Sequence, residues 1–268
     1  MDAPRALVRR PGPHLADGIV THIDRVPIDV DLAVRQWDAY TEALAAGGWD
    51  LVEVPTARDC PDAVFVEDTV VMVRNVAVIT RPGALSRRPE TFAVRDTLTA
   101  LGASINQIEP PGTLDGGDVL KVGDTLYVGR GGRTNPDGVR QLRAIVEPLG
   151  VTVVAVPLRS VLHLKSAVTA LPDGTVVGYP PLVDSPASFP RFLAVPEESG
   201  AHVVLLGGDR LLMAADCPRT ATLYADLGYQ PVTVDISEYQ KLEGCVTCLS
   251  VRLRALTRRA DSLPPLIG

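Results

Sequence analysis

The chain has almost no lysine: residues 121, 165 and 241 are the only three, and its other cationic side chains are arginines. With arginine carrying nearly all the positive charge, a single arginine says little by itself. Most of them, the Arg258-Arg259 pair included, read as solvated surface. There is also no excess of cations. The net charge of -6 and pI near 5.3 leave no basic footprint for a nucleic acid. Long apolar runs are missing too: the longest, such as 151–157, cannot span a bilayer, and no apolar h-region follows the charges of Met1-Asp2-Ala3-Pro4-Arg5. No membrane association is expected, and the reading is a cytoplasmic protein. The four cysteines at 60, 217, 245 and 248 are too few for a disulfide framework in a chain of 268 residues and read as reduced thiols. G-x-G-x-x-G is absent, and Gly116-Gly117 runs into a strand pattern, which excludes a dinucleotide fold. No linker or low-complexity stretch divides the chain, so residues 1–268 are expected to form one catalytic domain.

What is present is a repeat. β-Branched runs broken by turn residues predict hairpins at 69–80, 119–129, 166–179 and 202–215. Helical spacing follows at 30–46, 88–101, 136–149 and 219–227, and short strands come next at 50–54, 104–108, 151–156 and 230–235. The unit is hairpin, helix, strand. About five such units fit the chain, with the segments at 6–10 and 246–253 completing one unit between them, which predicts a closed ring.

Candidate chemistry sits at separate strand ends. Cys248, in Glu243-Gly244-Cys245-Val246-Thr247-Cys248-Leu249-Ser250, is a candidate nucleophile. A thiolate needs an imidazole beside it, and the imidazole needs a carboxylate to orient it. His163 in His163-Leu164-Lys165-Ser166 and Asp115 in Leu114-Asp115-Gly116-Gly117-Asp118 supply both. Glu67 and Asp68 follow a short apolar run and could meet a cationic substrate. Neighbouring residues on a strand point to opposite faces, so a bulge or kink is needed if both are to do so. Asp118 reads as a supporting residue of its turn. Cys245 and Cys248 form a C-x-x-C, but no second pair exists to complete a zinc site. The stretch 246–253 reads as a strand, whereas a redox dithiol normally opens a helix.

Phe65-Val66-Glu67-Asp68, Thr80-Arg81-Pro82-Gly83 with Ser86-Arg87-Arg88, Leu114-Asp115-Gly116-Gly117-Asp118-Val119-Leu120, Arg133-Thr134-Asn135, His163-Leu164-Lys165-Ser166 and Thr247-Cys248-Leu249-Ser250 together resemble the dimethylarginine dimethylaminohydrolase family, in the family's order. The resemblance implies the five-bladed α/β propeller of the pentein superfamily, and hydrolysis of methylated arginines to citrulline through a covalent thiouronium on Cys248. No metal and no organic cofactor is implied. It assigns Asp115 to orient His163, and Glu67 and Asp68 to the guanidinium. Arg87 and Arg133 are assigned to the substrate carboxylate, and Asp62 with the backbone at Ile19 and Leu242 to the α-ammonium. Within the superfamily, arginine deiminases are the nearest alternative. They carry a Phe-Thr-Arg-Asp type segment and a carboxylate two residues after the histidine, where this chain has Lys165. An amidinotransferase-like relative and a non-catalytic ligand-binding member are the other readings. A small-molecule substrate is the expected partner, a homodimer the default assembly, and 11–18, rich in Gly and Pro, a candidate lid.

Overall fold

The computed structural model describes residues 3–254 and residue 256. The Arg258-Arg259 pair lies outside them. The described strands are β1 (Arg5–Val8), β2 (Asp50–Glu53), β3 (Val70–Val73), β4 (Val76–Ile79), β5 (Ser104–Gln107), β6 (Val119–Val122), β7 (Thr125–Arg130), β8 (Thr152–Pro157), β9 (Val168–Ala170), β10 (Val176–Gly178), β11 (Phe192–Ala194), β12 (Val204–Gly207), β13 (Arg210–Ala214), β14 (Gln230–Val234) and β15 (Ser250–Leu253). They form five three-stranded sheets. In four of these a hairpin pairs the first two strands antiparallel and the third lies parallel to the middle one. The remaining sheet has the same layout but is built from both ends of the described chain, with β1 between β15 and β2. The repeat and its closure are as the sequence predicts.

Turn chemistry sets the hairpins. Gly123 has φ +58 where β6 turns into β7, and Arg74, at the same place between β3 and β4, takes φ +56, a conformation glycine adopts at lower cost. The crossovers are α1 (Val30–Ala46), α2 (Glu90–Ala100), α3 (Pro136–Val146) and α4 (Pro218–Asp226). On α1 the buried Ala33, Trp37, Tyr40 and Leu44 recur every three or four residues and join the largest apolar cluster. A crossover helix is missing from the β10–β11 unit. Pro180, Pro181 and Pro186 leave room only for 3-10 turns at Pro180–Leu182 and Pro186–Ser188.

A cavity of about 580 Å³ is lined by residues of β3, β6, β9, β12 and β15, the first strand of each sheet, and so marks the axis of the ring. A single turn of 3-10 or related geometry precedes each of those strands: Val66–Thr69, Gly116–Asp118, Leu164–Ser166, Ser199–Ala201 and the turns at 245–249. No helix among the described residues is long and apolar enough to cross a membrane.

Asn135 caps α3 by accepting from Gly138 N (2.8 Å) and also accepts from Thr113 N (3.0 Å), tying the helix to the neighbouring loop. Asn135→Ala strips both donors of their acceptor. It should cost about 1–2 kcal/mol, read as a lower urea midpoint at unchanged slope.

Candidate active site

The turns that open the inner strands bring the predicted residues to one end of the axis. A narrow cavity of about 20 Å³ is lined by Cys248, His163, Asp62, Asp68, Arg87, Arg133, Ile19 and Leu242. Asp115 stands behind His163, its Oδ2 2.9 Å from Nε2. That hydrogen bond leaves Nδ1 toward Asp68, 3.8 Å from its Oδ1. The closeness requires Gly117. A Cβ there would fall 2.6 Å from Asp68 Oδ1 and 2.7 Å from His163 Nδ1. Asp68 Oδ1 also accepts from Gly117 N at 2.8 Å.

Burial alone would lower the His163 pKa, but Asp68, Asp115 and Asp118 outweigh it and raise the pKa to about 9. The imidazole is therefore an imidazolium at neutral pH. Burial would raise Asp68, yet His163 and Arg87 pull it down to about 2, so it stays ionised. Burial carries Asp118 up to about 7. Its carboxyl accepts from Thr134 Oγ1 (2.5 Å) and Leu164 N (3.1 Å), anchoring the backbone that carries His163, in keeping with its supporting role. Asp68, Asp115 and His163 also have the mutual spacing of a metal cluster, all within 4.8 Å. The imidazolium between the two carboxylates and Arg87 bonded to Asp68 already supply the positive charge a metal would bring.

Two expectations change. Glu67 does not share the narrow cavity with Asp68. Its carboxylate accepts from Lys165 Nζ (2.5 Å) and Thr247 Oγ1 (2.8 Å), with Arg252 at 3.6 Å, and it faces the axial cavity. Val66–Thr69 is a 3-10 turn, in which three residues complete a turn, so the neighbouring Glu67 and Asp68 side chains leave it in different directions. Arg87 lines the cavity, but its fork is largely spent. Nη1 donates to Asp68 (2.5 Å), Nη2 to Glu90 (2.8 Å) and to the carbonyls of Asp62 and Phe65 (3.2 Å each), and Nε to Glu90 (3.1 Å). Burial would lower its pKa, but Glu90 and Asp68 raise it well above the ordinary value. Arg133 is freer. Its bond is to Thr21 Oγ1 (3.3 Å), and among the described residues no carboxylate pairs with it. Asp62 accepts from Ile19 N at 3.0 Å, which leaves the Ile19 carbonyl for a cation.

The stretch 11–18, expected as a candidate lid, is tied to the core at one point. Leu15 is fully buried in the main apolar cluster, so 11–18 is anchored. Residues 21–27 are the exposed stretch. Glu243, at φ +59, holds that stretch by accepting from Thr21 N and His22 N. Phe65, Leu162, Glu243 and Gly244 complete the cavity wall, and Leu162 and Glu243 carry no signature in the sequence.

Cys248 is not on a strand. It precedes β15 in a turn closed by Cys248 N donating to Cys245 O at 3.0 Å. The turn is pinned by Tyr40 of α1, whose hydroxyl donates to Val246 O at 2.8 Å. It places the Cys245 and Cys248 sulfurs 3.3 Å apart. The bond between them draws the Cys245 thiol well below its usual pKa and holds Cys248 well above, with burial and the Glu67 and Asp68 carboxylates adding to the rise.

A ring of five α/β blades with a buried thiol, imidazole and carboxylate at the turn end of its axis defines a pentein-fold protein. No family model matches the chain. It is 69% identical over 256 residues to the N(G),N(G)-dimethylarginine dimethylaminohydrolase of Streptomyces coelicolor, across 96% of this chain and 99% of that protein. It is 38% identical over 251 residues to the Pseudomonas aeruginosa protein of the same name, across 92% and 98%. A solved structure of a cysteine-to-serine mutant of the Pseudomonas aeruginosa protein complexed with citrulline superposes with a TM-score of 0.87 at 36% identity, covering 94% of this chain and 100% of that one. The chain belongs to the dimethylarginine dimethylaminohydrolase family.

The His163 pKa lies above the 6.5 of a free imidazole, so its contribution to stability is complete below about 6.5 and is lost as pH rises through about 9. A proton NMR titration of the imidazole should give a midpoint near 9, and Asp115→Asn should move it down. A parent midpoint near 6.5 would contradict this assignment of charges.

Proposed function

We propose that the protein hydrolyses N-omega-methylated arginines to citrulline, releasing dimethylamine or methylamine. The observation that carries the reading is the pairing of His163 Nε2 with Asp115 while Nδ1 faces the cavity that Cys248 also lines. A cavity of about 20 Å³ holds roughly one water, so substrate entry requires 21–27 to swing away from Glu243.

On binding, the guanidinium lies against Asp68, which stays ionised and accepts its N–H donors. Arg133, with the N–H that Arg87 retains on Nη1, takes the α-carboxylate. Asp62 and the Ile19 and Leu242 carbonyls take the α-ammonium. The arriving cation offsets the carboxylates that hold Cys248 as a thiol, so its proton passes to solvent water as substrate binds, His163 being already protonated. The thiolate then attacks the guanidinium carbon. The tetrahedral adduct expels the amine as the His163 imidazolium donates a proton through Nδ1, since an amine anion cannot leave. The neutral imidazole next deprotonates water, which attacks the S-alkylthiouronium carbon. Citrulline departs, the Cys248 sulfur is released and His163 is again an imidazolium. Asp115 holds the ring so that one nitrogen serves both steps.

Lys165 supports the preference for methylated substrates. It stands where deiminases have a carboxylate, and its ammonium is spent on Glu67 in the axial cavity. Four cysteines without a disulfide among them fit a reducing, cytoplasmic setting.

Citrulline release from asymmetric dimethylarginine, monomethylarginine and arginine tests the reading. Turnover is expected from the methylated substrates, none from Cys248→Ser, and a drop of about 10²–10⁴-fold in kcat for Asp115→Asn. Turnover chiefly of arginine would make the protein a deiminase. Amidine transfer to an added amine would make it a transferase, and no reaction of any kind a binding protein.

A further inference from the structure

The sulfur of Cys245 has no part in the chemistry above. The chain nevertheless holds it 3.3 Å from the Cys248 sulfur, buried and 3.3 Å from Thr247 Oγ1. Cys245 N points at the Cys248 sulfur (3.4 Å), and the carbonyl-to-amide bond of the turn keeps the two residues from separating. The pair also has two approaches. Cys248 lines the narrow substrate cavity, whereas Cys245 lines a second cavity of about 470 Å³ that His202 and Ser166 also border. The two cavities share Leu162, Glu243 and Gly244 as walls, so a small solute in the second reaches the dithiol without entering the substrate site.

We propose that Cys245 is a resolving thiol and a site of reversible oxidation, which captures Cys248 in an intramolecular disulfide when a peroxide enters the second cavity. The Cys245 thiolate attacks one peroxide oxygen, the O–O bond breaks, and Cys245 becomes a sulfenic acid with loss of hydroxide. The Cys248 sulfur then attacks the sulfenic sulfur, the S–O bond breaks, and hydroxide leaves and takes up the Cys248 proton as water. In sum two thiols and one peroxide give one disulfide and two waters: each sulfur loses one electron and the peroxide gains two. A small dithiol reverses the step by exchange. While the disulfide stands, Cys248 has no free sulfur to attack a guanidinium, and it is barred from the irreversible sulfinic and sulfonic states.

Geometry confines the change to this pair. Cys217 is buried, donates to Ala214 O and has its pKa pushed up to about 12 by burial. Cys60 is also shifted upward by burial. Neither has another cysteine sulfur as a partner among the described residues. Because Cys245 bonds the Cys248 sulfur and so bears on its protonation, the activity of each Cys245 variant before oxidation is the reference against which its own loss and recovery are read.

The loss of activity, though not the bond itself, rests on the reading of Cys248 as nucleophile. The test treats the parent and both Cys245 variants with hydrogen peroxide, removes it with catalase, and divides each sample between peptide mass analysis and a citrulline assay with and without dithiothreitol. The parent peptide spanning Cys245 and Cys248 should lose about 2 Da, and activity should return to within about twofold on reduction. The variants should instead gain about 32 or 48 Da at Cys248 and stay at least about tenfold down after the same exposure. A gain of oxygen on parent Cys248 without the 2 Da loss, or equal recovery in parent and variants, overturns the proposal. A protein inactive on methylarginines that still forms the disulfide would sink the functional reading while supporting this one.

Discussion

A line of buried charges of alternating sign holds the active site together. Asp115 meets His163 at 2.9 Å, His163 faces Asp68 at 3.8 Å, Asp68 meets Arg87 at 2.5 Å and Arg87 meets Glu90 at 2.8 Å. Each of these groups, taken alone out of water, would cost several kcal/mol, and only the alternation offsets that cost. It also fixes what each can do. The imidazole carries a proton because carboxylates lie on both sides, and Asp68 keeps its charge because cations do. The backbone serves this arrangement: the turns ahead of β3 and β6 bring the carboxylates in, the turn ahead of β9 brings the histidine, and α2 carries Glu90.

Much of this was legible in the chain. The hairpins announced themselves through β-branched runs and turn residues, and α1 through its apolar spacing, because both patterns reflect one buried face. Side-chain direction within a turn was harder to read. Glu67 and Asp68 are adjacent and chemically alike, yet Asp68 faces the narrow cavity and Glu67 the axis, a choice made by the local turn and by Lys165 across the ring. Arg87 reads as a clamp until Glu90 is seen three residues on, occupying its Nε and one side of its fork. The proline-rich β10–β11 unit kept the repeat without the helix. Glu243 gave no warning, since its role depends on a positive φ and on partners more than two hundred residues away.

Fivefold repetition explains why so few residues suffice. Every inner strand is approached through a tight turn, and four of these turns bring Asp68, Asp115, His163 and Cys248 together. The turn at Ser199–Ala201 supplies no reacting group. Beside it, His202 bonds to Ser166 O at 2.9 Å, and so braces the turn that carries the reactive histidine.

The pairing of β1 with β15 bears on how the molecule comes into being. Arg5 lies opposite Leu253 and Val8 opposite Ser250, so the sheet entered through the Cys248 turn is finished only when segments some 240 residues apart meet. A contact of that span is among the slowest a chain can make. During synthesis the carboxylates and the imidazole emerge first, and the thiol joins them only at ring closure. A partly made chain therefore cannot assemble its reactive centre.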